Sequence, residues 1–151
     1  MAKDMYDFMQ LALDEARLAL AQGEVPVGCV LVKDGVVIQK AHNTSCSSTH
    51  LHGHAEFNAI CKAADRLGSY GLKDSEVYVT LEPCAMCMGL IILERISKVV
   101  FGAYDFEWGA CGSFVRVQKK SDTPEVYGGI MEQQCRELLR TFFHSLRSTQ
   151  N

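Results

Sequence analysis

Two short strings constrain this chain more than anything else in it: His54-Ala55-Glu56, and Pro83-Cys84-Ala85-Met86-Cys87 further along. Each is predicted to stand at the start of a helix. Zinc in a catalytic site takes three protein ligands and keeps a fourth position for water. One histidine and two cysteines meet that requirement, so His54, Cys84 and Cys87 are the expected metal ligands. Cysteine binds as thiolate, and the electropositive start of a helix helps it lose its proton. Cys84 and Cys87 at i and i+3 lie on one face of the first turn. Glu56 is expected to carry protons rather than bind metal. In this reading a zinc-bound hydroxide attacks a ring carbon bearing an amine, and the carboxylate passes protons to the ring and to the departing amine.

The rest of the chain accommodates such a centre. The 151 residues suit a single domain over residues 1–151. Residues 4–22 read as an amphipathic helix with Phe8, Leu11, Ala12, Glu15 and Leu18 along one stripe. Residues 25–32 and 36–40 read as strands, and Asp34-Gly35 between them signals a hairpin. Residues 41–53 read as a loop. A helix over 54–67, a strand over 76–81, a helix over 84–95 and a strand over 98–102 follow. Pro83 costs nothing at a helix start. A long glycine-containing connection spans 104–123, with room for a short strand. The last helix, 132–146, turns Cys135, Leu138, Leu139, Phe142 and Phe143 inward. Strands interleaved with helices predict an α/β fold with a mixed sheet covered on both faces.

Other functions are disfavoured. Seven cysteines and no export signal argue against a disulfide framework. No apolar stretch approaches the roughly 20 residues of a membrane span, so the expected location is cytoplasmic, with no membrane partner. The net charge of −3 does not suggest a general nucleic-acid binder, although Arg116, Lys119, Lys120, Arg136, Arg140 and Arg147 cluster late in the chain. Alternatives to the catalytic centre are a dithiol redox pair at Cys84 and Cys87, and a closed structural zinc site completed by His42, His50 or His52.

The two strings match the signature of zinc-dependent nucleobase deaminases. Further segments extend the resemblance over nearly the whole chain: residues 24–28, Asn43, residues 78–87, 99–103 and 109–113, and Leu138-Leu139 with Phe142-Phe143. The sequence resembles the tRNA-specific adenosine deaminases of the cytidine/deoxycytidylate deaminase superfamily. The resemblance implies a three-layer α/β/α cytidine-deaminase-like fold with a five-stranded mixed sheet and one Zn2+ per chain. It also implies a homodimer that takes a tRNA anticodon loop and converts the wobble adenosine to inosine. By resemblance Asn43 bonds the target nucleoside, and Val27, Ala55, Pro83 and Asp105 contact substrate, with the Ala55 amide near the metal-bound oxygen. Phe142 or Phe143 would stack near the extruded bases. Departures lie on the substrate side: Thr49-His50-Leu51-His52-Gly53 before the histidine ligand, Tyr104 before Asp105 with Phe106-Glu107-Trp108 after it, and a short segment after Ser113 that retains Lys119-Lys120. A deaminase of free cytosine or guanine, and a non-catalytic zinc-stabilised RNA-binding subunit, are the alternative functions.

Overall fold

The computed structural model describes residues 2–119 and 124–149. Helix α1 (Met5–Ala21) precedes a hairpin of β1 (Gly28–Lys33) and β2 (Val36–His42). Then come α2 (Ala55–Leu67), β3 (Glu76–Leu81), α3 (Ala85–Leu93), β4 (Lys98–Ala103), β5 (Glu125–Tyr127) and α4 (Glu132–Thr149). The strands form one sheet in the order β2-β1-β3-β4-β5. Pairing is antiparallel from β2 through β1 to β3, and parallel from β3 through β4 to β5.

Strand alternation explains the three layers. Cys29, Leu31, Val77, Val79, Val99 and Phe101 face one side, where Ala55, Ala59, Ile60 and Ala63 of α2 and Met88 and Ile91 of α3 meet them. Val30, Val32, Tyr78 and Val100 face the other, against Phe8, Met9, Ala12 and Leu13 of α1 and Cys135 of α4. Strands covered on both faces read as continuous apolar runs, as these do. The hairpin turns on Asp34 (φ 52) and Gly35 (φ 75), both in the left-handed region that a tight two-residue turn requires.

Helix α1 opens with a capping box: Asp4 accepts the Asp7 amide at 3.0 Å, and Asp7 accepts the Asp4 amide at 2.9 Å. Its buried stripe is Phe8, Met9, Ala12, Leu13, Ala16 and Ala19. The expected stripe shares only Phe8 and Ala12 with it, and Leu18 is exposed. The reason is Gly28: a Cβ there would run into the backbone of Ala12 and Ala16. Helix and strand touch backbone to backbone, so α1 presents its small residues at the contact. The short β5 lies just beyond the connection that was expected to hold a strand. Lys120 lies outside the described residues.

Candidate metal centre and its cavity

His54 and Cys84 are the N-cap residues of α2 and α3. Both helices start on the same side of the sheet, so the topology brings two N-termini to one point. The sequence reading placed His54 and Cys84 inside their helices. The structure moves each back to the cap, where the extended backbone frees the side chain from the helix surface. Cys87 follows in the first turn of α3 and is fully buried.

Ligand atoms of His54, Cys84 and Cys87 all lie within 4.8 Å of one another. His54 Nδ1 stands 3.5 Å from the Cys84 sulfur and 3.7 Å from the Cys87 sulfur. A tetrahedral zinc with bonds of about 2.0–2.1 Å to nitrogen and about 2.3 Å to sulfur separates those atoms by about 3.6 Å. The three side chains therefore fit zinc without rearrangement. All seven cysteines are free, so Cys84 and Cys87 stand as two thiols available to a metal. Among the described residues no fourth histidine, cysteine or carboxylate joins the group. His42 instead meets Glu15 at 3.3 Å and Gln22 at 3.1 Å, while His50 stacks on His52, and His52 on Phe57.

Proton affinities show how strongly these groups interact. Hydrogen bonds from Cys87 and His54 pull the Cys84 thiol down to about 4. The same bond to Cys84, together with burial, pushes Cys87 far up. The two sulfurs thus share a proton that a cation would displace. Burial raises the Glu56 carboxyl to about 7, against the opposing pull of His54 and a hydrogen bond from Cys87. A carboxyl titrating near neutrality suits proton transfer in both directions.

Above this group lies a cavity of about 350 Å³. Of the expected site residues, Val27, Asn43, His54, Glu56, Cys84 and Asp105 line it. Val25, Ser45, Leu81, Glu82 and Trp108 also line it, without having been assigned a role. Ala55 is buried behind the wall, and its amide donates to Asn43 Oδ1 at 3.2 Å. That amide was expected to point toward the metal-bound oxygen; it is instead spent on orienting Asn43. Asn43 Nδ2 in turn donates to Ser45 at 3.2 Å. Pro83 is buried outside the lining, where its carbonyl accepts the Ala110 amide at 2.8 Å. Phe142 and Phe143 do not reach the cavity. They sit on α4, on the opposite face of the sheet, packed edge to face on each other.

Two buried glutamates hold the cavity walls. Glu82 accepts the amides of Asp105 (3.2 Å), Cys111 (3.0 Å) and Ser113 (3.2 Å), and also the Ser113 hydroxyl. Glu24 accepts those of Cys46 (2.8 Å) and Ser47 (2.6 Å). Both lie inside the segments 24–28 and 78–87 that carry the resemblance, but an acidic residue there has no side-chain pattern that marks it as an anchor for backbone amides.

A family model described as the cytidine and deoxycytidylate deaminase zinc-binding region matches residues 2–103. The chain belongs to this family of zinc-dependent deaminases, and zinc is its cofactor. Within the family it groups with proteins named tRNA-specific adenosine deaminase. It is 40% identical to one from Bacillus subtilis over 93% of this chain and 89% of the relative. It is 42% identical to one from Agrobacterium fabrum, over 93% and 94%. A solved structure from work on A-to-I editing by tRNA:A34 deaminases superimposes with a TM-score of 0.81 at 42% identity, covering 87% of this chain and 98% of that one. A guanine deaminase from Nitrosomonas europaea shares the fold, with a TM-score of 0.80 at 20% identity.

Proposed function

We propose that this protein hydrolyses the wobble adenosine of tRNA to inosine, acting on the base within the RNA rather than on a free base. The observation that carries the reading is a buried carboxyl, Glu56, beside a three-ligand zinc group at the floor of a cavity large enough for a nucleobase. The choice of tRNA adenosine is supported by the 40% and 42% identity to tRNA-specific adenosine deaminases over nearly the full chain. A homodimer and a cytoplasmic location accompany this reading. Among the described residues no helix is long and apolar enough to cross a membrane.

His54, Cys84 and Cys87 would hold the zinc. When bound, zinc supplies the Lewis acidity that makes water nucleophilic near neutral pH. Glu56 would take a proton from the attacking water, deliver it to the ring nitrogen next to the reacting carbon, and assist the second transfer to the leaving amine. One carbon–oxygen bond forms, one carbon–nitrogen bond breaks, and ammonia leaves with no change of oxidation state. Val25, Val27 and Leu81 give the base apolar walls and keep water from its faces. Asn43, fixed by Ala55 and Ser45, presents an amide to the sugar or base edge, and Asp105 borders the same space.

The test is an anticodon stem-loop with adenosine at the wobble position, run beside free cytosine and guanine. Inosine is expected from the stem-loop alone. Glu56→Gln should keep stoichiometric zinc and lose activity by at least about 10²-fold. Ammonia released from a free base, with no inosine in the RNA, overturns the reading.

A further inference from the structure

Trp108 is the chain's one tryptophan, and its indole is 68% exposed. An exposed aromatic alone carries no argument, because single apolar residues are common on surfaces. What distinguishes this one is how firmly its backbone is held and what it borders. The Trp108 amide donates to Asp105 Oδ1 at 3.2 Å, and the Glu107 amide reaches the same oxygen at 3.1 Å. The next residue, Gly109, forms a bridge with the zinc ligand Cys84, and its amide donates to the Asp105 carbonyl at 2.9 Å. A side chain at Gly109 would collide with that carbonyl and with the Glu82 carboxylate. The backbone carrying the indole is thus bolted to the start of α3, at the metal-ligand residue Cys84. Among the described residues Trp108 is the one phenyl, phenol or indole residue that lines the cavity.

Depth separates its role from that of the base pocket. Glu56, at the floor, is 3% exposed, so the reacting base must pass the rim to reach it. Trp108 stands at the rim. A base drawn out of an RNA loop leaves its neighbour without a stacking partner, and aromatic side chains commonly supply that face. Charge narrows the contact further. Glu107 and Asp105 flank the indole, and their carboxylates repel a phosphate, so a base face fits here better than backbone.

We infer that Trp108 is a specificity-determining residue that stacks on the nucleotide adjacent to the target adenosine; this rests on the RNA reading of the site. Phe106 provides an internal control. It belongs to the same loop and is 70% exposed, but it lines a separate depression with Phe101, Tyr104 and Ser113.

The single tryptophan makes the test direct. The zinc-loaded Glu56→Gln protein is titrated with the wobble-adenosine stem-loop while indole fluorescence is followed. Binding should quench it. An abasic site at one of the two neighbouring positions should abolish the quenching and weaken binding roughly 10-fold. Trp108→Ala in the active enzyme should raise KM roughly 10-fold on the stem-loop with kcat unchanged. Trp108→Phe should keep most of the wild-type KM, and Phe106→Ala all of it. If the wild type makes inosine but Trp108→Ala matches it in KM, the stacking role is wrong while the RNA reading stands. An equal loss in Phe106→Ala, or a change of oligomeric state in Trp108→Ala, also overturns it. Absence of inosine from the wild type removes both proposals together.

Discussion

The two walls of the cavity are built on the same principle and differ in how far it is carried. Each is a loop gathered by one buried glutamate, Glu24 for residues 44–53 and Glu82 for residues 105–113. Among the described residues neither carboxylate has a lysine or arginine partner; backbone N–H groups compensate the charge instead. Glu24 binds two consecutive amides of a single turn. Glu82 binds amides spread from Asp105 to Ser113, and the same loop is stitched to Cys84 and Pro83. Beyond its anchor, the first wall carries Leu51, 85% exposed, and the stacked pair His50 and His52. One rim of the site is therefore stitched directly to the metal-ligand segment, while the other is held at its ends, by Glu24 and by Asn58 of α2 through Thr44 and Gly53, with Leu51 between them left exposed. A rigid rim suits the indole of Trp108, because a stacking face is useful only if it does not have to be ordered on binding.

Removing the anchors should expose this asymmetry. Glu82→Ala leaves three amides and a hydroxyl without their acceptor, which should cost about 3–4 kcal/mol. That corresponds to a fall in Tm of about 10 °C by calorimetry, with weaker zinc retention because Cys84 loses its brace. Glu24→Ala should cost less, about 1–3 kcal/mol. Its hydrogen exchange should rise at Cys46 and Ser47 while Cys111 and Ser113 keep their protection. Equal losses from the two variants would erase the proposed difference between the walls.

The smallest effect concerns acid. Burial raises the Glu24 carboxyl, but hydrogen bonds from Ser47 and Cys46 outweigh it, so its folded pKa lies below the ordinary 4.5. A depressed carboxylate contributes stability above its unfolded pKa and loses it as pH falls through the folded value. Tm of the wild type should therefore drop more steeply below about pH 4.5 than Tm of Glu24→Gln. Parallel curves would mean that the Cys46 and Ser47 bonds do not favour the charged form.

Much of this was legible in the chain. Continuous runs rich in apolar and β-branched residues announced β1, β3 and β4, and Asp34-Gly35 announced the hairpin. The metal trio was readable because its ligands come as compact strings with a fixed chemical requirement. Other features were hidden for particular reasons. The stripe of α1 was misjudged because periodicity rewards large apolar residues, whereas close approach to Gly28 selects alanines. Ala55, Pro83, Phe142 and Phe143 were named as substrate contacts. The structure puts the first two behind the cavity wall and the phenylalanines across the sheet.

Residue type and spacing along the chain determined the chemistry: two sulfurs and an imidazole at helix starts, with a carboxyl two positions from one of them. Those features are local, so they survive in a one-dimensional reading. The shape of the substrate site was decided only in three dimensions. Glu24, Glu82 and Trp108 act through partners remote in sequence or through the space they border. A carboxylate surrounded by backbone amides has no side-chain pattern to betray it, because every residue but proline offers the same N–H.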